Sequence, residues 1–171
     1  MNKRHESALA DLKARQLAGE HMPCPRCGQF SMKSELHTNA LSRHADIYVC
    51  DSCGTEEAML VFMNSPLPMS NWAALMPKRP ASDFKARCST DVLSEIVRVQ
   101  VPLLIEIYRQ LLYGDLDSED VQYEAYSKCP GLTALWLSPF HAKYDTADGQ
   151  ILIRFRKRGD EIEYCTSAFT K

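Results

Sequence analysis

The sequence predicts an α+β protein, and three stretches carry that expectation. Two Cys-x-x-Cys-Gly corners, Cys24-Pro25-Arg26-Cys27-Gly28 and Cys50-Asp51-Ser52-Cys53-Gly54, predict a small metal-stapled ribbon. A strongly apolar run from Thr90 to Tyr113 predicts a core helix. Strict alternation from Ile151 to Cys165, broken only at Gly159-Asp160, predicts an antiparallel hairpin or small meander.

The 171 residues include 45% hydrophobic and 25% charged residues, which suits one medium domain or two small ones. No run of about 18 apolar residues occurs, so no membrane span is expected. Met1 to Glu20 lacks the apolar block of a secretory leader. Seven cysteines is an odd number, and four are expected as metal thiolates, which together suggest a reducing cytoplasm. The formal net charge is −2; four thiolates and one Zn²⁺ would bring it to about −4. Residues 61–88 carry four Lys/Arg against one acid, whereas 89–171 carry nine against thirteen. That distribution argues against a broad charge-driven grip on a nucleic-acid duplex.

Glu6 to Leu17 reads as an amphipathic helix with Leu9, Leu12 and Leu17 on one stripe and Gly19 as its stop. The two corners follow. Cysteines three apart aim their sulfurs at one point, and the glycine after each permits the positive φ of a knuckle. Cys24, Cys27, Cys50 and Cys53 are therefore expected to close a tetrahedral shell around one structural zinc ion, with a redox pair or a disulfide as the competing readings. The 22 residues between Cys27 and Cys50 leave room for a strand at Phe30–Met32, a loop at Thr38–Leu41 and a returning strand at Ile47–Val49. His37 and His44 are alternative ligands. Arg43 and His44 also sit near a loop tip that could touch a partner.

The Cys24–Gly28 corner, the stretch Asn39–Cys50 and Cys53-Gly54-Thr55-Glu56-Glu57-Ala58 resemble small zinc-ribbon proteins encoded by bacteriophages and bacterial mobile elements. Pro66-Leu67-Pro68-Met69-Ser70-Asn71-Trp72-Ala73 resembles the ending of that group. The likeness covers about residues 8–75 and implies a metal site and a mobile-element setting. It leaves residues 88–171 without a counterpart.

Pro66, Pro68, Pro77 and Pro80 mark residues 61–88 as a connector between an N-terminal module (1–60) and a C-terminal α+β domain (89–171). Trp72 is expected to anchor it, and Lys78, Arg79, Lys85 and Arg87 make it locally basic. In the apolar run, Ser89 or Thr90 is the expected cap, Pro102 predicts a kink or a second helix, and Gly114 a stop. Its apolar residues nearly encircle the axis, so it could also be shared with a second subunit. Asp115, Asp117, Glu119 and Asp120 lead into a short helix ending at Lys128. They read as first-turn acids or, functionally, as phosphate mimics. Counting outward from Gly159-Asp160 pairs Arg158 with Glu161, Arg156 with Glu163 and Arg154 with Cys165, and puts Ile153, Phe155, Ile162 and Tyr164 on the buried face. Lys143–Thr146 is a candidate third strand. An arginine row including Arg154 and Arg156 could meet phosphate, although carboxylates face two of its members.

No glycine-rich phosphate loop, nucleophile elbow or catalytic constellation is present, so the expectation is a non-enzymatic protein. The leading reading is a partner-binding protein whose acidic residues steer it to a host protein, with a nucleoprotein complex such as an RNA-guided nuclease following from the resemblance alone. The alternative is a nucleic-acid-binding regulator using Arg43, His44, Lys78, Arg79 and the hairpin arginines. An enzyme built on Cys88 or Cys129 is the remaining option.

Overall fold

The structure is a computed structural model that describes residues 3–170. The chain divides into two compact units, Met1–Met76 and Pro77–Lys171. Mixed helices and antiparallel sheets make it an α+β protein.

The first unit opens with α1 (Lys3–Leu17). His5, Leu9, Leu12 and Gln16 form its buried stripe at helical spacing. Leu17, expected on that stripe, is 63% exposed. Gln16 takes its place because its amide pairs with backbone. Its Nε2 donates to Tyr48 O at 2.7 Å, and the Tyr48 N–H donates to its Oε1 at 2.8 Å. Helix α1 thus satisfies the Tyr48 backbone through a side chain. β1 (Ala40–Leu41) and β2 (Tyr48–Val49) are only two residues each and pair antiparallel. Ala40–Leu41 was expected in a loop and Phe30–Met32 in a strand. Phe30–Met32 is irregular, because Phe30 lies outside the core at 70% exposure, stacked on His21. The loop ahead of β1 is organised by Asn39, whose amide accepts from Lys33 N–H and donates to the carbonyls of Lys33, Glu35 and Leu36.

Immediately after β2 comes α2 (Asp51–Phe62), with Cys50 as its N-cap. Downstream, Trp72 is fully buried in a core formed with Leu9, Leu12, Met22, Ile47, Val49 and Leu75 and with three of the cysteines. Two backbone bonds strap this segment across the first corner: Ala73 N–H to Arg26 O and Ala74 N–H to Pro25 O, both 3.0 Å. Residues 61–76 are thus part of the first unit.

In the second unit, α3 (Ser89–Glu95), a π turn (Ile96–Gln100) and α4 (Val101–Tyr113) form one helical run. Pro102 stands in the first turn of α4, as expected. Having no N–H, it cannot bond back to Arg98, and the π turn falls at that point. The N-cap of α3 is Cys88, without a side-chain cap bond. Asp148 caps from outside instead, accepting from the Ser89 N–H at 2.7 Å and hydroxyl at 2.9 Å. Gly114 ends α4 in the left-handed conformation. Only one face of the run is buried (Val92, Ile96, Val101, Leu104, Ile107), while Val99 and Tyr113 are exposed. The nearly all-round apolarity expected from the sequence therefore corresponds to one-sided burial.

Helix α5 (Ser118–Lys128) leads to a four-stranded antiparallel meander, β3 (Leu132–Leu137), β4 (Phe140–Thr146), β5 (Gly149–Arg158) and β6 (Glu161–Thr170). The hairpin register is the one counted from the turn: Arg158 opposite Glu161, Arg156 opposite Glu163 and Arg154 opposite Cys165. Phe140, Ala142, Tyr144, Ile151, Ile153 and Phe155 face a core shared with the helices. Tyr164, assigned to that buried face, stays 43% exposed because its strand is the sheet's edge.

Candidate metal centre

Two different local structures deliver the four cysteines. The first is a tight turn in which Cys24 N–H donates to Gln29 O and Gly28 N–H donates to Cys24 O, each at 2.8 Å. Gly28 has φ +76°, and a Cβ on it would meet that of Ala73 at 3.0 Å. This corner is the expected knuckle. The second is the first turn of α2. There Gly54 is helical, without a positive φ. It must be glycine for another reason: a Cβ would come within 2.3 Å of the Ala40 Cβ. The two corners expected to match are therefore a knuckle and a helix N-terminus.

The sulfurs of Cys24, Cys27, Cys50 and Cys53 lie within 4.8 Å of one another. None is in a disulfide. A tetrahedral thiolate shell with metal–sulfur bonds of about 2.3 Å sets its sulfurs about 3.8 Å apart. The Cys27–Cys50 separation is 3.9 Å. Cys24, Cys50 and Cys53 are buried, while Cys27 is exposed.

Electrostatics also fit a cation. Burial pushes the Cys24 thiol up despite backbone hydrogen bonds from Cys50, Cys27 and Arg26. Burial likewise drives Cys53 well above the thiol range, helped by its sulfur neighbours and opposed by Arg26. Cys50 is buried too, yet hydrogen bonds from Ser31, from the Cys53 backbone and from the neighbouring cysteines bring it down to about 7. Crowded thiols of this kind cannot all ionise unaided, whereas a bound divalent ion deprotonates its thiol ligands outright. The four residues could hold one metal ion, and His37 and His44 are outside the cluster. His37 Nδ1 instead lies 2.8 Å from the Tyr48 hydroxyl.

Around the sulfurs is a buried polar network that sequence reasoning missed. Arg26, between the first two ligands, has an almost wholly buried side chain. Its Nη1 donates to Glu56 Oε2 at 2.6 Å, and its Nε is 3.6 Å from Glu57 Oε1. Glu56, and then burial acting the other way, dominate the upward shift of the Arg26 pKa, to which Cys53 also contributes. Glu57 is 1% exposed. It accepts from the Ser42 hydroxyl at 3.0 Å and the Arg43 N–H at 2.8 Å. The available signal was spacing: Glu57 is four residues after Cys53 and so shares its side of α2.

The partner-contact candidates are dispersed. Arg43 is exposed, but its Nη1 donates to Gly54 O at 3.2 Å, and the His44 N–H donates to the Ser42 hydroxyl. Both residues thus belong to the frame of the cysteine module. Lys78 and Lys85 are exposed, and the Arg79 guanidinium lies 4.1 Å above the Tyr126 ring. Arg87 pairs with Glu95 at 2.8 Å. Asp115, Asp117, Glu119 and Asp120 sit at the junction of α4 and α5. The Asp117 carboxylate caps α5 by accepting from Glu119 and Asp120 N–H. Arg156 and Arg158 both reach Glu163, at 3.0 and 3.1 Å. Arg154 lies on the open face of the sheet in one row with Trp136, His141 and Cys165. As for thiol chemistry, burial pushes Cys129 up to about 12, which leaves it un-ionised near neutral pH.

Fold and site define a two-unit α+β protein whose first unit is built around a four-cysteine cluster. Compared with protein-family models, curated proteins and solved structures, the chain shows no significant match.

Proposed function

We propose that the chain is a non-enzymatic interaction protein whose N-terminal unit is held in shape by one zinc ion. The observation that carries this reading is the convergence of four sulfurs within 4.8 Å of one another, with those of Cys27 and Cys50 3.9 Å apart. Four thiolates leave zinc no open position for water or substrate, so its role there is structural. Arg26 would offset part of the negative charge of such a centre, and Glu57 would orient the loop beside it.

Helix α2 supports a protein partner. Met59, Val61 and Phe62 at its C-terminal end, and Met63 that caps it, are all exposed, Phe62 to 91%. A cluster of exposed apolar side chains that includes two methionines suits protein contact better than phosphate contact. The acidic residues 115–120 would add steering toward a basic surface. The resemblance to mobile-element zinc ribbons suggests a host protein as target, including a nucleoprotein effector such as an RNA-guided nuclease, inhibited by occupation of a working surface.

The second reading, nucleic-acid binding, is favoured by one feature: the Trp136–His141–Arg154 row pairs an exposed aromatic with a guanidinium that no carboxylate faces among the described residues. Affinity capture from bacterial lysate with and without nuclease separates the two. The leading reading expects a captured protein that survives nuclease and is lost on substituting Phe62 and Met63 with serine. Capture that disappears with nuclease and with Arg154→Ala would overturn it in favour of the second.

A further inference from the structure

The two edges of the meander are finished differently. β3 is short, its register breaks between Leu132 and Ala134, and the Leu135 N–H donates to the Tyr126 hydroxyl at 3.1 Å. A bulge and a side-chain cap of this kind are devices that keep a sheet edge from pairing further. β6 has neither. It pairs with β5 through ten consecutive positions without a shift, and no described residue bonds its outer edge. It contains no proline, lysine or arginine. In an antiparallel ladder every second residue directs its N–H and C=O away from the neighbouring strand, so half the backbone groups of β6 face outward.

We infer that β6 pairs antiparallel with β6 of a second copy, joining two four-stranded sheets into one of eight strands. The strand is complementary to itself in that orientation. Its acids, Glu161 and Glu163, are in the first half, and Ser167 to Thr170 carry no charge. Antiparallel self-pairing sets each charged half against an uncharged one, whereas parallel pairing would align like charges. Symmetry restricts the register. A two-fold axis normal to the sheet keeps each side chain on its own face, so odd positions meet odd positions and one residue meets itself. Cys165, at the middle of the strand, is that residue. Around it Ile162 meets Ala168, and Tyr164 meets Thr166, on the face that continues the two cores. Glu163 meets Ser167 on the open face. Cys165 is exposed and has the outer edge beside it.

The test uses the full-length, metal-loaded protein in a Cys88→Ser background. Sedimentation equilibrium is expected to show a closed dimer. A short bifunctional thiol reagent is expected to join two chains, and Cys165→Ser to abolish the product. Cys165→Asp sets two carboxylates against each other, and Cys165→Lys two ammonium groups, so each variant is expected to dimerise roughly five-fold more weakly than Cys165→Ser. Mixed, the Asp and Lys variants are expected to form the heterodimer in excess of the statistical share, read by native mass spectrometry. Misfolding of either variant would not produce that rescue. A monomer at every concentration overturns the inference, as does open-ended assembly, or a dimer that neither cross-links at residue 165 nor favours the mixed pair.

Discussion

The two units reach a fixed shape by different means. Among the described residues, the C-terminal unit buries seventeen core residues, almost all apolar, between three helices and a four-stranded sheet. Among the described residues, the N-terminal unit has two two-residue strands, and its ten-residue core includes three cysteines. Much of what it buries besides is polar: Gln16, Arg26, Asn39, Ser42 and Glu57. Burial of apolar area can hold the first kind of structure unaided, whereas small domains short of core need a staple. With zinc as the staple, metal should matter to one unit and hardly at all to the other.

Chelation is the strongest way to break that contrast. Structural zinc in small domains is worth on the order of 10 kcal/mol or more. Adding a chelator should collapse the amide resonances of residues 3–76 and leave those of 77–170 dispersed. Simultaneous loss of both sets would show that the units are not independent. Next in size is Leu104→Ala in the C-terminal core, expected to cost about 2–5 kcal/mol in denaturant melts while metal content stays unchanged. Glu57→Ala should lower the stability of the N-terminal unit by about 2 kcal/mol, because the Ser42 hydroxyl and the Arg43 N–H lose their buried acceptor. A melt of that variant indistinguishable from wild type would reduce the polar network to decoration.

The smallest effect is with pH. The Ser89 N–H, opposed by burial and reinforced by the Ser89 and Thr146 hydroxyls, holds the Asp148 carboxyl below its usual range. Arg156 and Arg158 hold Glu163 below its range as well. Both groups therefore contribute stability that is present above the unfolded carboxylate value, around pH 4, and lost as pH falls through the lower folded value. The C-terminal unit should melt earlier as pH drops below that range, with a shallower dependence in Asp148→Asn. An unchanged slope would remove Asp148 from the account.

What the sequence made legible follows the same division. The hairpin register was readable because alternation and a two-residue turn fix it locally. The convergence of the cysteines was readable because spacing fixes each corner. Helix α2 was hidden by Gly54, which looked like the glycine of a second knuckle when its actual role is to let Ala40 approach. Strand β3 was hidden by the irregularity between Leu132 and Ala134, which interrupts its alternation. Gln16 on Tyr48, Glu57 on Ser42 and the Trp72 strap join positions far apart in the chain. No local pattern announces such contacts.

The most direct test of the account is native mass spectrometry of freshly purified protein alongside Cys50→Ser, with amide spectra of both. The account predicts one zinc per wild-type chain, none in the variant, and loss of ordered signals confined to residues 3–76. A metal-free wild-type chain, or a Cys50→Ser protein whose first unit remains folded, would contradict it.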